Sequence, residues 1–144
     1  MANDAAAIAA YDDSLRKVPL HAHMGLEILQ RGPSAVINME LRDDLRAAAE
    51  GTVHGGMLAT LADVACAVSL FGSFELGAEM PVTTDMHVRY YRQPLAGPIS
   101  AKAQIVHKGR RLLSSECSIV DGQERVLARA TAAYMVVPRA TPPN

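Results

Sequence analysis

The sequence predicts an α+β fold, in which a curved, mainly antiparallel sheet of about six strands wraps around one long central helix. Three observations predict it. The run 55–74 is apolar on nearly every side of a helix, so it must be buried on nearly every side. The second half of the chain reads as four strands in succession. The connections between those strands are too short for parallel crossovers, so neighbouring strands run antiparallel. A single sheet curved around the helix would bury it; so would a helix held between a sheet and a partner subunit.

The elements follow in order. Residues 5–17 form a short, weakly amphipathic helix that Pro19 stops. Residues 24–30 and 34–41 read as strands around the turn Arg31-Gly32-Pro33. The charged, Ala-rich stretch 43–50 gives one helical turn and a loop. The long helix then runs from Gly55 to Phe74, with Gly72 and Gly77 marking its end and exit loop. In 82–91, Val82, Thr84, Met86, Val88 and Tyr90 alternate with Thr83, Asp85, His87, Arg89 and Tyr91, a period of two. Strands 99–107, 112–120 and 126–137 follow. The first two are joined by Lys108-Gly109-Arg110 and the last two by Asp121-Gly122, a strong hairpin signal.

The 144 residues suit one domain over 1–144, with 1–20 a helical N-terminal extension and 138–144 a flexible tail. At 49% hydrophobic the chain can build a core, and a net charge of −1 without a long basic run gives no drive towards nucleic acid. No membrane partner is expected, because the apolar helix is too short to span and Asp63 interrupts it. Asp4 stands where a secretory signal would want positive charge, so a cytoplasmic protein is expected. Cys66 and Cys117 read as reduced core residues, and His21 and His23 lack a completing ligand set, so no metal is expected.

The chemistry sits in the long helix. On a 3.6-residue repeat, Met57, Leu61, Val64, Ala65, Val68 and Phe71 form a large-residue stripe that should face the sheet. Around Asp63 lie only small residues: Gly56, Ala59, Thr60, Cys66 and Ala67. Such a stripe lets another backbone or a slender ligand approach the carboxylate. The amide of Gly55, helped by that of Gly56, sits at a helix N-terminus that stabilises negative charge, and could hold a developing oxyanion. Asp63 could attack a carbonyl or deprotonate a water that does so. A carboxylate is a weak base, so a thioester suits it better than an amide. Eight residues separate Gly55 from Asp63, about 12 Å along the axis. One chain therefore does not bring both to the same atom, whereas two antiparallel copies do. A two-fold dimer with two shared sites is expected.

His54-Gly55-Gly56 followed by Leu61-Ala62-Asp63 resembles the motif of hotdog-fold acyl-CoA thioesterases. The match is to the PaaI-like subgroup, which includes phenylacetyl-CoA and Arthrobacter-type 4-hydroxybenzoyl-CoA thioesterases. The resemblance extends over 32–137 and takes in Val82–Met86, Tyr91-Arg92-Gln93-Pro94 and Lys108-Gly109-Arg110-Arg111. It implies a hotdog fold and hydrolysis of an acyl-CoA or aryl-CoA to free acid and CoA, with no cofactor. Asp63 matches the catalytic acid and Gly55 the glycine whose amide binds the thioester oxygen. His54 matches the motif histidine that shapes the turn, and Thr83 a position whose hydroxyl helps orient water in some members. Homodimers, often paired into homotetramers, are implied. Arg92, Lys108, Arg110 and Arg111 are candidates for the CoA phosphates, though a basic hairpin can equally be a solvated turn. Thr83 can likewise be explained by β-propensity alone.

One position departs from the family. Ala48 stands where active members often carry Asn or Gln near the thioester. That departure leaves open a catalytically poor acyl-CoA-binding protein; a separate alternative is an acyl-thioester hydratase or dehydratase. The second needs an Asp and a His at one substrate carbon, and His54 is badly placed for that.

Overall fold

The computed structural model describes residues 5–47 and 51–140. Ala48 and the last four residues of the expected tail lie outside them. The fold is the hotdog arrangement: an antiparallel six-stranded sheet with one long helix packed on its inner face. Helix α1 is Ala5–Arg16 and α2 is Pro19–Met24. Strands β1 (Glu27–Gln30) and β2 (Ser34–Met39) precede helix α3 (Gly55–Ser69). Strands β3 (Glu79–Tyr90), β4 (Ile99–Lys108), β5 (Leu112–Val120) and β6 (Val126–Pro138) follow. The spatial order is β1-β2-β4-β5-β6-β3, and every neighbouring pair is antiparallel.

Most elements lie where the sequence puts them, and the differences have local causes. Pro19 ends α1 and then opens α2, because its fixed φ suits the first helical turn. Met24 therefore closes α2, Gly25 turns the chain at φ 66°, and β1 starts at Glu27. Helix α3 stops at Ser69, short of Phe74. The Leu70 amide tightens onto Ala67 and the Phe71 amide onto Val68, and Gly72 turns at φ 87°. Phe71 thus lies past the helix, where its ring meets Tyr11 of α1 at 4.8 Å between centroids. Helix α1 is further tied down by Asp12, which accepts from Arg31 Nε at 2.9 Å and Nη2 at 2.5 Å.

The buried part of α3 is wider than the stripe expected. Leu61, Val64, Ala65 and Val68 are buried as expected, joined by Leu58, Ala62 and Cys66, whereas Met57 is only half-buried. Opposite them, the inner face of β6 carries Ala128, Ala130 and Ala132, all buried, with room for the helix to approach closely. Cys66 is thus part of the core and not of the open stripe. It faces Cys117 of β5, and both are free thiols. A hydrogen bond with Cys117, reinforced by burial, pushes the Cys66 thiol far above its ordinary range. The buried hydroxyls of Ser69 and Ser115 satisfy each other at 2.7 Å, and Ser69 also donates to the Cys66 carbonyl. The remaining face of α3, formed by Gly56, Ala59, Thr60, Asp63 and Ala67, is only half-buried.

Strand β3 is an edge strand with Pro81 in it, which an edge tolerates because that position needs no ladder donor. Simple alternation puts Thr83 on the face of Asp85. A register shift between Thr83 and Asp85 reverses the phase there. Thr83 pairs with inward-facing Tyr134, while Val82 pairs with outward Met135 and is 42% exposed.

The β5–β6 hairpin is as expected, but its turn spans Asp121 to Arg125, and the residue with positive φ is Glu124 (61°), not Gly122. Asp121 organises it. Its carboxylate accepts from the Gln123 amide at 2.9 Å, the Arg125 amide at 3.0 Å and Arg125 Nε at 2.7 Å. Burial opposes the ionised form, but the two amides and the guanidinium outweigh it and hold this carboxyl below the usual Asp value. The carboxylate's contribution is therefore complete above the unfolded value and fades as the pH falls through the lower folded one. Thermal melts of wild type and Asp121→Ala should show the full stability gap above about pH 4. The gap should close on further acidification; one independent of pH would refute the assignment.

Candidate functional site

The segment entering α3 is pinned from several sides. The Val53 amide donates to Gln93 Oε1 at 2.9 Å and the His54 amide to the Leu45 carbonyl at 3.1 Å. His54 is the N-cap, with φ −60° and ψ 126°, and its Nδ1 accepts from the Gly56 amide at 2.9 Å. This corrects the expectation for Gly56, whose N–H is engaged by His54 and is not available to a ligand. A Cβ on Gly56 would lie 2.9 Å from that same ring nitrogen, so the cap requires glycine here. Gly55 differs. Its carbonyl accepts from the Tyr90 hydroxyl at 2.8 Å, while its own N–H meets no acceptor among the described residues. One open amide remains at the positive end of the helix.

Asp63 lies two turns further along α3, half-buried, with no cationic partner among the described residues. Its Oδ1 accepts from Thr83 Oγ1 at 3.0 Å and from the Tyr134 hydroxyl at 2.8 Å. The same hydroxyl is 2.8 Å from the Asp63 carbonyl oxygen. Oδ2 meets no donor among the described residues. Tyr134 is 1% exposed, and burial, joined by the negative groups beside it, pushes its hydroxyl well above the ordinary tyrosine range. It therefore stays protonated and donates. Thr60, whose hydroxyl could have satisfied the carboxylate from within the helix, bonds instead to the Gly56 carbonyl at 2.8 Å.

Within one chain the structure does not bring Gly55 and Asp63 together. They are held to different stretches of β3, Gly55 by Tyr90 and Asp63 by Thr83. Nor do the basic candidates converge. Arg92 is exposed beyond the Tyr90 end of β3. Lys108, Arg110 and Arg111 are exposed on the β4–β5 hairpin, beyond the register Thr83–Tyr134–Leu113–Lys108 at the other end. Arg110 and Arg111 border a hollow of about 440 Å³ with Glu79 and residues 135–138.

Three residues that sequence reasoning missed hold this site: Tyr134, Tyr90 and Gln93. Tyr134 had a usable signal, as the one large side chain that ends the inward series Ala128, Ala130, Ala132. Gln93 lay within the Tyr91-Arg92-Gln93-Pro94 corner of the resemblance but without an assigned role, and Tyr90 had no signal, because the carbonyl it holds lies far away in sequence.

The chain matches the thioesterase superfamily over residues 50–128, more than half its length, and belongs to that family. Thioester hydrolysis is thereby supported as the general activity. Solved structures agree in fold. A variant of the phenylacetic acid degradation protein PaaI from Thermus thermophilus is 28% identical, covering 81% of this chain and 97% of its own, at a TM-score of 0.72. PaaI from the phenylacetic acid degradation operon of E. coli is 21% identical over 91% and 93%, at 0.79. A thioesterase from Haemophilus influenzae is 20% identical over 91% of each chain, at 0.78. No curated protein matches the sequence.

The cap gives the site a stability test. Chemical denaturation of His54→Ala should show a loss of about 1 kcal/mol, and His54→Asn, which can still cap, should recover most of it. Equal losses in both variants would show that the imidazole does something other than capping.

Proposed function

We propose that this protein hydrolyses an acyl-CoA or aryl-CoA thioester to the free acid and CoA. The observation that carries the reading is Asp63: a carboxylate without a cation, held by two hydroxyls on the incompletely covered face of α3. The names of the PaaI relatives favour an aryl acid such as phenylacetate as the acyl group.

The active form we propose is a two-fold dimer, paired further into a tetramer as the resemblance implies. Strand β3 supports it: twelve residues long, on the sheet edge, with Val82 and Tyr90 exposed. Antiparallel pairing of two such edges about an axis near Met86 carries the Tyr90 end of one strand to the Thr83 end of the other. Gly55 of one chain then lies beside Asp63 of its partner. Arg92 of one chain comes to the same end as the partner hairpin carrying Lys108, Arg110 and Arg111, where the substrate's phosphates would bind.

The Gly55 N–H then polarises the thioester carbonyl and holds the oxyanion. Asp63 of the facing chain takes a proton from water as the water attacks. The tetrahedral intermediate collapses, the C–S bond breaks, and the CoA thiolate leaves with that proton. Direct attack by Asp63, giving an anhydride that water then cleaves, uses the same groups. Single-turnover hydrolysis in heavy-oxygen water distinguishes the two by whether label enters the carboxylate. Neither route needs a metal or a redox cofactor.

A thiol-release assay over acyl- and aryl-CoAs tests the reading. Asp63→Asn should lower kcat by roughly 10²- to 10⁴-fold, the range of a lost general base. Tight binding without turnover in the wild type would favour the acyl-CoA-binding alternative. The shared site has its own test. Gly55→Pro removes the N–H at the first helical position, where proline is tolerated. Co-expressed with Asp63→Asn, it should restore roughly a quarter of wild-type activity, since half the dimers are mixed and each has one intact site. No recovery would place both groups of each site in one chain.

A further inference from the structure

We propose that Tyr134 is a positioning residue that, together with Thr83, commits Asp63 Oδ1 to the protein and leaves Oδ2 as the reacting oxygen. This rests on the hydrolytic reading above and deepens it. A carboxylate on a helix surface rotates about its terminal bond and presents either oxygen. Here both available donors reach the same one: Thr83 from β3 at 3.0 Å and Tyr134 from β6 at 2.8 Å.

The Tyr134 hydroxyl lies 2.8 Å from both Asp63 Oδ1 and the Asp63 main-chain carbonyl, so its single proton is shared between two oxygens of the same residue, and Thr83 completes the hold on Oδ1. The phenol is suited to this role. It is buried among the alanines of β6 and remains a donor because burial disfavours its ionised form. Among the described residues no cation is ion-paired with Asp63; the groups that act on it are Thr83 of β3, Tyr134 of β6 and the Cys66 thiol of α3.

Tyr134→Phe removes the hydroxyl and keeps the ring that fills the core. A hydrogen bond to a charged group lost from the reacting arrangement should lower kcat roughly 10- to 100-fold. KM should change less than about twofold, since substrate contacts are untouched. Thr83→Val removes the other donor and should act in the same direction. The double variant should fall short of the product of the two effects, because both act on one oxygen. A merely structural tyrosine would lower the melting temperature without separating kcat from KM.

A crystal structure of Tyr134→Phe supplies a readout independent of turnover, with the carboxylate expected in more than one orientation. If the wild type hydrolyses no thioester, the functional reading fails, and the positioning role is decided by that structure alone. Wild-type kcat in Tyr134→Phe, or a single unchanged Asp63 orientation, overturns the inference. If Tyr134→Phe does not fold, Thr83→Val with a single unchanged carboxylate orientation and wild-type kcat overturns it equally.

Discussion

Helix α3 carries apolar or small residues around most of its circumference, yet its own sheet covers only one side of it. Leu58, Leu61, Ala62, Ala65, Cys66 and Val68 are sealed against β2, β4, β5 and β6. That leaves Gly56, Ala59, Thr60, Asp63 and Ala67 half-covered. Apolar surface of this kind is disfavoured in water, so the face calls for a cover. The one polar side chain on it besides Thr60 is a carboxylate with no counter-ion among the described residues. The same incomplete burial leaves both the small-residue face and Asp63 partly open to solvent.

Strand β3 decides how that face is used. It is the outermost strand, so its other edge is unpaired, and it touches α3 through Tyr90 at Gly55 and Thr83 at Asp63. The bulge between those contacts is essential to the second. Without a one-residue shift in phase, the Thr83 hydroxyl would lie on the outer face with Asp85, and Asp63 would keep only Tyr134. A local irregularity in the ladder is therefore what makes one strand serve both ends of the helix.

The two donors of the His54-Gly55-Gly56 segment have separate duties for a reason of geometry. A helix N-terminus offers several unpaired amides, and an N-cap side chain reaches the second or third residue after it. His54 takes the Gly56 amide and leaves that of Gly55. The motif's two glycines are thus not equivalent: one makes room for the histidine ring, while the other presents its backbone to whatever approaches the helix end.

The sequence by itself determined the sheet-and-helix composition, the antiparallel character of the sheet, the helix start at Gly55 and the position of Asp63, but not that β3 lies beside β6 at the edge. Each feature it determined depends on neighbours a few residues apart: periodicity, short connections, a capping residue and a glycine pair. Helix α3 ended five residues earlier than its apolar pattern suggested, because apolar residues past Ser69 are buried equally well in a tight turn. Only the tertiary structure decided that Thr83 faces inward, that Tyr134 and Tyr90 hold the acid and the helix entrance, and that Cys66 belongs to the core. These outcomes depend on strand register and on contacts between residues 20 to 71 positions apart. A one-residue shift in register reverses which side chains face the helix, and a local pattern carries no record of it.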